Sequence, residues 1–341
     1  MFEKWTENFY QTSEYPVLWR QRKRMEKEKP FSRLKILDAT PIFRNTLLKY
    51  EALISGGADL IVGCSPLIPA DSKILEVLSH SGISVVELKN VSFVPDIVLD
   101  CGGVFSSLKP NFGSVELTRS GVEFYETANF PVFIADSSEI KKIETSLGTG
   151  ESYFRAMEKF GYSSWKSKRL LVFGYGKVGS GIVHYALKYG AMVTVVADFK
   201  GEIPKDSKIQ FIDISEFSKI REAILSAEFI VTATGKKNAL AFAEIESALT
   251  NSKAVFANMG VEDEYGRSVL ETRVLFNKKP LNFALEEPTL LKFMDATMAF
   301  HNALGEKLLQ SKNLEKGINP LPGVLENEIL ELTRKYGNVL K

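Results

Sequence analysis

The residues best suited by type and spacing to do chemistry lie in RLLVFGYGKVGSG, positions 169–181. Gly174, Gly176 and Gly179 stand at G-x-G-x-x-G spacing between an apolar run, Leu170–Phe173, and the start of a helical pattern. Gly174 permits a tight turn, Gly176 lets a pyrophosphate approach the backbone, and Gly179 lets the helix pack on its strand. Lys177 and Val178 complete the first turn, whose N–H groups and dipole would face the phosphates. A second apolar strand, Met192–Val196, ends at Ala197-Asp198. An acid there holds the ribose hydroxyls of NAD, so Asp198 is the candidate. Ala197 and Lys200 keep NADP open, because a small residue near a cation accommodates a 2′-phosphate.

Strands and helices must carry these residues. Beyond the glycine loop, Phe229–Ala233 and Ala254–Asn258 read as short buried strands. Thr232, Thr234, Gly235, Asn258, Met259 and Gly260 then lie at or just past carboxyl ends, where open parallel sheets bind ligands. Ahead of the loop the chain alternates: strand Leu34–Leu37, helix Arg44–Ser55, strand Asp59–Val62, helix Ala70–His80, strands Ser84–Glu87 and Ile97–Asp100. Such alternation predicts a second parallel sheet and an α/β fold. The short polar stretch 161–168, GYSSWKSK, reads as the domain seam.

Composition excludes several classes. The 341 residues are 45% hydrophobic and 25% charged with a net charge of +1, an ordinary globular balance without a nucleic-acid footprint. The basic run Arg20–Lys29 reads as a solvated helix face. No apolar run reaches membrane-spanning length, and the charged, aromatic start MFEKWTENFY is not a signal peptide. Cys64 and Cys101 are too few for a disulfide framework or a zinc site, so no metal is expected and the protein reads as cytoplasmic.

Over nearly its whole length the chain resembles the S-adenosylhomocysteine hydrolases. The resemblance rests on GYGKVGSG (174–181), VTATG (231–235) and the N-x-G of Asn258–Gly260. It extends to YPVLWRQRKR, GGADLIVGCSPL, GISVVELK, PDIVLDCGG, FPVFIADSSEIKK and LNFALEEPTLLKFMDATM. It implies two domains, a Rossmann-type doubly wound NAD-binding domain (166–285) inserted in an α/β substrate domain (1–165), with 286–341 returning to the substrate domain and ending in a helix. It also implies that Asn282 reaches the nicotinamide carboxamide. The family's long carboxyl tail is missing beyond Lys341, which leaves a homodimer as the expected assembly.

The departures fall on the chemistry. In the family a lysine and an aspartate one helical turn apart share a substrate hydroxyl proton. Those positions are Ile140 and Glu144 here, with Lys141 and Lys142 beside them. The paired aspartates become Asp100 and Cys101, and E-T-T-T survives as Glu126-Thr127-Ala128. The family histidines near the reacting centre fall at Val261 and Glu287. Lys142, Glu126, Glu144, Asp100 and Glu287 are therefore the candidates for acid–base work. Glu126, Glu144 and Glu287 read equally as salt-bridge partners, and Lys142 reads slightly more readily as a solvent-facing lysine of SSEIKKIE. His301 could face the cleft; His184 reads as a surface histidine and Cys101 as packing. The expected activity is NAD-dependent hydride transfer at a hydroxyl or keto group of a small, nucleoside-like molecule. A hydrolase with rearranged acids and bases, or a catalytically silent NAD-binding regulator, are the alternatives.

Overall fold

The computed structural model describes residues 2–66, 69–311 and 313–340. Leu67, the last residue of the GGADLIVGCSPL stretch, and the terminal Lys341 lie outside the described residues. The chain divides into two compact units, one of residues 1–143 with 290–341 and one of residues 144–289.

Among the described residues the first unit holds a seven-stranded, all-parallel sheet. Its strands are β1 (Lys35–Asp38), β2 (Asp59–Gly63), β3 (Val85–Val86), β4 (Ile97–Asp100), β5 (Gly113–Glu116), β6 (Pro131–Ile134) and, returning late in the chain, β12 (Gly317–Asn319). Their spatial order is β12-β6-β5-β4-β1-β2-β3. One face is covered by the helix Leu291–Gln310, which is buried along most of its length because it lies flat on the sheet. Gly305 allows that approach, since a Cβ there would stand 3.0 Å from Leu99 Cδ2. Asp295 on this helix caps another, Pro16–Glu28, accepting from Val17 N at 2.9 Å and Leu18 N at 2.8 Å. Those two amides are helix-end donors with no partner inside their own helix.

The second unit holds five parallel strands, β7 (Arg169–Phe173), β8 (Met192–Ala197), β9 (Ile209–Asp213), β10 (Phe229–Thr232) and β11 (Val255–Asn258), in the order β11-β10-β7-β8-β9. Alternate residues of each strand feed opposite cores, as a period of two requires. Leu170, Val172 and Val193 meet the helices Thr149–Lys159 and Lys177–Lys188 on one face. Leu171, Phe173 and Ile230 meet Phe217–Ser226 and Ala243–Asn251 on the other.

The change of unit comes at residue 143/144, ahead of the 161–168 stretch where the sequence places its seam. The reason is packing. Tyr153, Met157 and Trp165 belong to the core of the second sheet. Gly150 lies so close to Gly181 that a Cβ would come within 2.4 Å of that residue's carbonyl carbon, and a Cβ on Gly181 would come within 1.8 Å of Ser146 O. Residues 144–160 are therefore fastened to the helix that follows the glycine loop. They begin with a π-helical turn, Ile143–Gly148.

Candidate functional site

In the second sheet β7 and β10 are neighbours, yet β8 and β9 extend to one side of them and β11 to the other. Loops leaving the carboxyl ends part at such a reversal and open a crevice. Backbone bonds fix both loops, with Gly174 N donating to Val196 O and Ala233 N to Phe173 O, each at 2.8 Å. The three glycines of the motif then separate by purpose. Gly174 has φ +100°, and a Cβ would stand 2.4 Å from Ala233 O. A Cβ on Gly179 would stand 2.1 Å from Gly174 O. Both serve the protein's own packing.

Gly176 does not. Its φ of −76° suits any residue, and a Cβ there would meet nothing within 4 Å. It is the N-cap of the helix Lys177–Lys188 and, as glycine, brings no capping side chain to that end. A bare helix N-terminus over open space is an anion cradle, so the residues present fit a pyrophosphate. Lys177 and Val178 form its first turn, half-buried. Asp198 is exposed immediately beyond β8, its Oδ1 accepting from Lys200 N at 3.1 Å in a turn where Lys200 has φ +50°.

On the other side of the crevice the loops are tied by a residue the sequence reading missed. Glu264, fully buried, accepts from Thr234 N and Thr234 Oγ1 at 2.8 Å through Oε2 and from Gly235 N at 2.7 Å through Oε1. A Cβ on Gly260 would stand 2.0 Å from the same Oε1. Burial raises the Glu264 carboxyl above its ordinary range, against the pull of the Thr234 and Gly235 bonds. An acid set among the glycines of NMGVEDEYG was the available signal.

Two assignments on this side, Thr232 and Met259, need correction. Thr232 is fully buried and donates to Asn258 Oδ1 at 2.8 Å, so its hydroxyl is spent inside the protein. Met259 is a core residue rather than a lining one. Asn258 acts as a turn hub, its Nδ2 donating to Gly260 O at 3.0 Å, Glu262 O at 2.9 Å and Lys278 O at 2.6 Å. Asn282 is buried in the single 3-10 turn Leu281–Ala284, shortly after Lys278.

The acid–base candidates fare unequally. Lys142 is exposed and paired to Glu139 Oε1 at 2.7 Å on its own turn. Glu126 is exposed at the end of a 3-10 turn. Neither is held for chemistry. Asp100 is fully buried and saturated, accepting from Cys101 N at 2.8 Å, Phe105 N at 3.0 Å and Tyr125 Oη at 2.6 Å. Burial and the facing Glu116 push its carboxyl up to about 7, yet no substrate atom could touch it. Cys101 is buried beside it. His301 is wholly buried in the first unit with Nε2 3.0 Å from Val115 O, which places it in the core rather than on a cleft. His184 is exposed.

Two carboxyls of the second unit remain. Glu144 is half-buried in the π-helical turn. Glu287 is half-buried, its Oε1 sealed from solvent with no hydrogen-bond partner among the described residues, and burial pushes it up to about 7. Its backbone is anchored, since Arg155 donates to Glu287 O at 3.1 Å. A loop-borne carboxyl tuned near neutrality is the pattern of a working acid or base.

Comparison with known proteins bears on this arrangement. The profile of the Glutamate/Leucine/Phenylalanine/Valine dehydrogenase family matches residues 137–261, the glycine loop included. The adenosylhomocysteinases of Thermoplasma acidophilum and Thermoplasma volcanium are 24% and 26% identical to the chain, over 94% of it and 90% of each of them. At these identities the chain is similar to the adenosylhomocysteinases along nearly its whole length. The S-inosyl-L-homocysteine hydrolase of Methanopyrus kandleri is 25% identical over 93% of the chain and 86% of its own length. Among solved structures, one of the dipicolinate synthase polypeptides of Bacillus halodurans matches 82% of the chain and 98% of its own at 12% identity and a TM-score of 0.48, a likeness too loose to bear on function. Among the described residues, no group of three or more His, Cys, Asp or Glu is arranged to hold a metal. No described helix is long and apolar enough to cross a membrane.

Proposed function

We propose that the protein is an NAD-dependent enzyme of the adenosylhomocysteinase type that moves hydride to or from a hydroxyl or keto carbon of a small, nucleoside-like molecule. The observation that carries this reading is the open Cα face of Gly176 at an uncapped helix end beside the β7/β10 reversal, with Asp198 beyond β8. Gly176, Lys177, Val178 and Gly179 would hold the pyrophosphate and Asp198 the ribose hydroxyls. Thr234, Gly235, Gly260 and Asn282 would border the nicotinamide half. When bound, the cofactor supplies the hydride acceptor or donor. The chain must supply a group that holds the proton of the reacting oxygen, and we assign that role to Glu287.

The relatives' names point to S-adenosyl- or S-inosyl-homocysteine as the chemical class to try first. Mass analysis of small molecules carried through native purification, followed by turnover with NAD while absorbance of the reduced nicotinamide is followed, tests the reading. Net reduced cofactor supports an oxidoreductase, and thiol release without net cofactor change supports a hydrolase. Sedimentation of the loaded protein checks the homodimer.

A second reading, a catalytically silent NAD-binding protein, is favoured by one observation. Lys142 and Glu126 both stand in solvent. It predicts cofactor binding with neither turnover signal.

A further inference from the structure

We propose that Glu264 sets the redox preference of the dinucleotide site, its buried carboxylate standing behind the loops of the nicotinamide half and favouring the oxidised, cationic cofactor. The inference rests on the dinucleotide reading above. Asp198 beyond β8 assigns the adenosine half to the β8–β9 side. A doubly wound sheet binds its dinucleotide across the reversal, so the other half belongs to the carboxyl ends of β10 and β11.

Glu264 joins those two ends. Its three donors, Thr234 N, Thr234 Oγ1 and Gly235 N, converge on the two oxygens within 2.8 Å, an arrangement that suits the anion. Gly260 closes against Oε1. On the opposite side the loop is open, because a Cβ on Gly235 would meet nothing within 4 Å. The neighbouring charges are answered separately: Asp263 accepts from Lys278 Nζ at 2.9 Å, and Glu262 lies 3.9 Å from Lys237 Nζ. Among the described residues no basic side chain pairs with Glu264. Its charge, fully buried, is poorly screened by water.

A nicotinamide ring is positive when oxidised and neutral when reduced. A fixed negative charge behind it therefore tightens the first form and leaves the second nearly untouched. This is more than a structural role. Loss of a mere loop tie would weaken both forms alike.

Calorimetric titration with NAD+ and NADH tests it. Wild-type protein should bind NAD+ more tightly, and Glu264→Gln, which keeps the shape and loses the charge, should shift the affinity ratio about tenfold toward NADH. Thr234→Val removes a bond to the carboxylate while keeping the charge, so it should weaken both forms with the ratio unchanged. An unchanged ratio in Glu264→Gln overturns the proposal. So does a wild-type preference for NADH, even if the variant fails to fold. Binding of neither cofactor by wild-type protein would instead sink the dinucleotide reading itself.

Discussion

Lys49 donates its Nζ to Asp38 with both side chains wholly buried, at the carboxyl end of β1 in the first unit. Asp38 also accepts from Thr40 N at 2.9 Å, so the pair fixes the turn that leaves the strand. Burial lowers the Lys49 pKa and the Asp38 charge opposes that fall. Removing one partner strands the other charge, so Lys49→Met should cost about 3–5 kcal/mol. Adding Asp38→Leu should recover most of the loss. Urea unfolding of the single and double variants measures this; a single variant within about 1 kcal/mol of wild type would show the pair to be dispensable.

Gly176 and Gly179 should respond oppositely to alanine. At Gly179 a Cβ collides with Gly174 O at 2.1 Å, so Gly179→Ala should lower the melting temperature. At Gly176 the Cβ has free space, so Gly176→Ala should fold as wild type yet bind NAD at least several-fold more weakly. Equal NAD affinity in Gly176→Ala would remove the pyrophosphate from this helix end.

Asp198 should make the site prefer NAD to NADP, because a carboxylate repels a 2′-phosphate and accepts from a 2′-hydroxyl. Titration with both cofactors decides between Asp198 and Lys200. Tighter NADP binding would give the specificity to Lys200.

Glu287 offers a pH signature independent of substrate. Its folded pKa, about 7, lies above its ordinary 4.5, so the folded state holds the proton more strongly. Its contribution is full at low pH and is lost as pH rises from about 4.5 through about 7. Glu287→Gln, always neutral, should then match wild type near pH 4 and exceed it near pH 8 by up to about 3 kcal/mol. Melting curves at the two pH values check the difference. If the proton role holds, the same variant should abolish turnover while sparing NAD affinity.

S-adenosylhomocysteine should be turned over slowly, since each displaced acid–base group is typically worth about 10²–10⁴ in rate. A thiol-release assay reads this, and a turnover near 10 per second would show that neighbouring residues had taken over. Lys142→Ala, which breaks only an exposed pair, should change stability by less than about 1 kcal/mol.

The sequence revealed elements where burial was apolar and hid them where it was polar. Ile97–Asp100 and the strands flanking the glycine loop stand out as apolar runs, and each is a strand. β5, GSVE, does not, because two of its four buried residues are the polar Ser114 and Glu116. Glu116 Oε1 and Oε2 bind the amides of Gly102 and Gly103, each at 2.9 Å, a relationship no local pattern announces. The choice between adjacent lysines was equally hidden: Lys141 turns inward and Lys142 outward on one four-residue helix. The cofactor side was legible because a tight turn demands glycine at fixed spacing. Acid–base roles carry no such steric signature.

The backbone-to-backbone approach of Gly150 and Gly181 has a bearing on how the protein could be taken apart. A piece beginning at residue 166 would carry all five strands of the second sheet but would lose the core partners Tyr153 and Met157 and bare the Gly181 flank to water. One beginning at 144 would bring its own covering. Limited proteolysis in the 161–168 stretch should therefore nick the chain without releasing a stand-alone cofactor module.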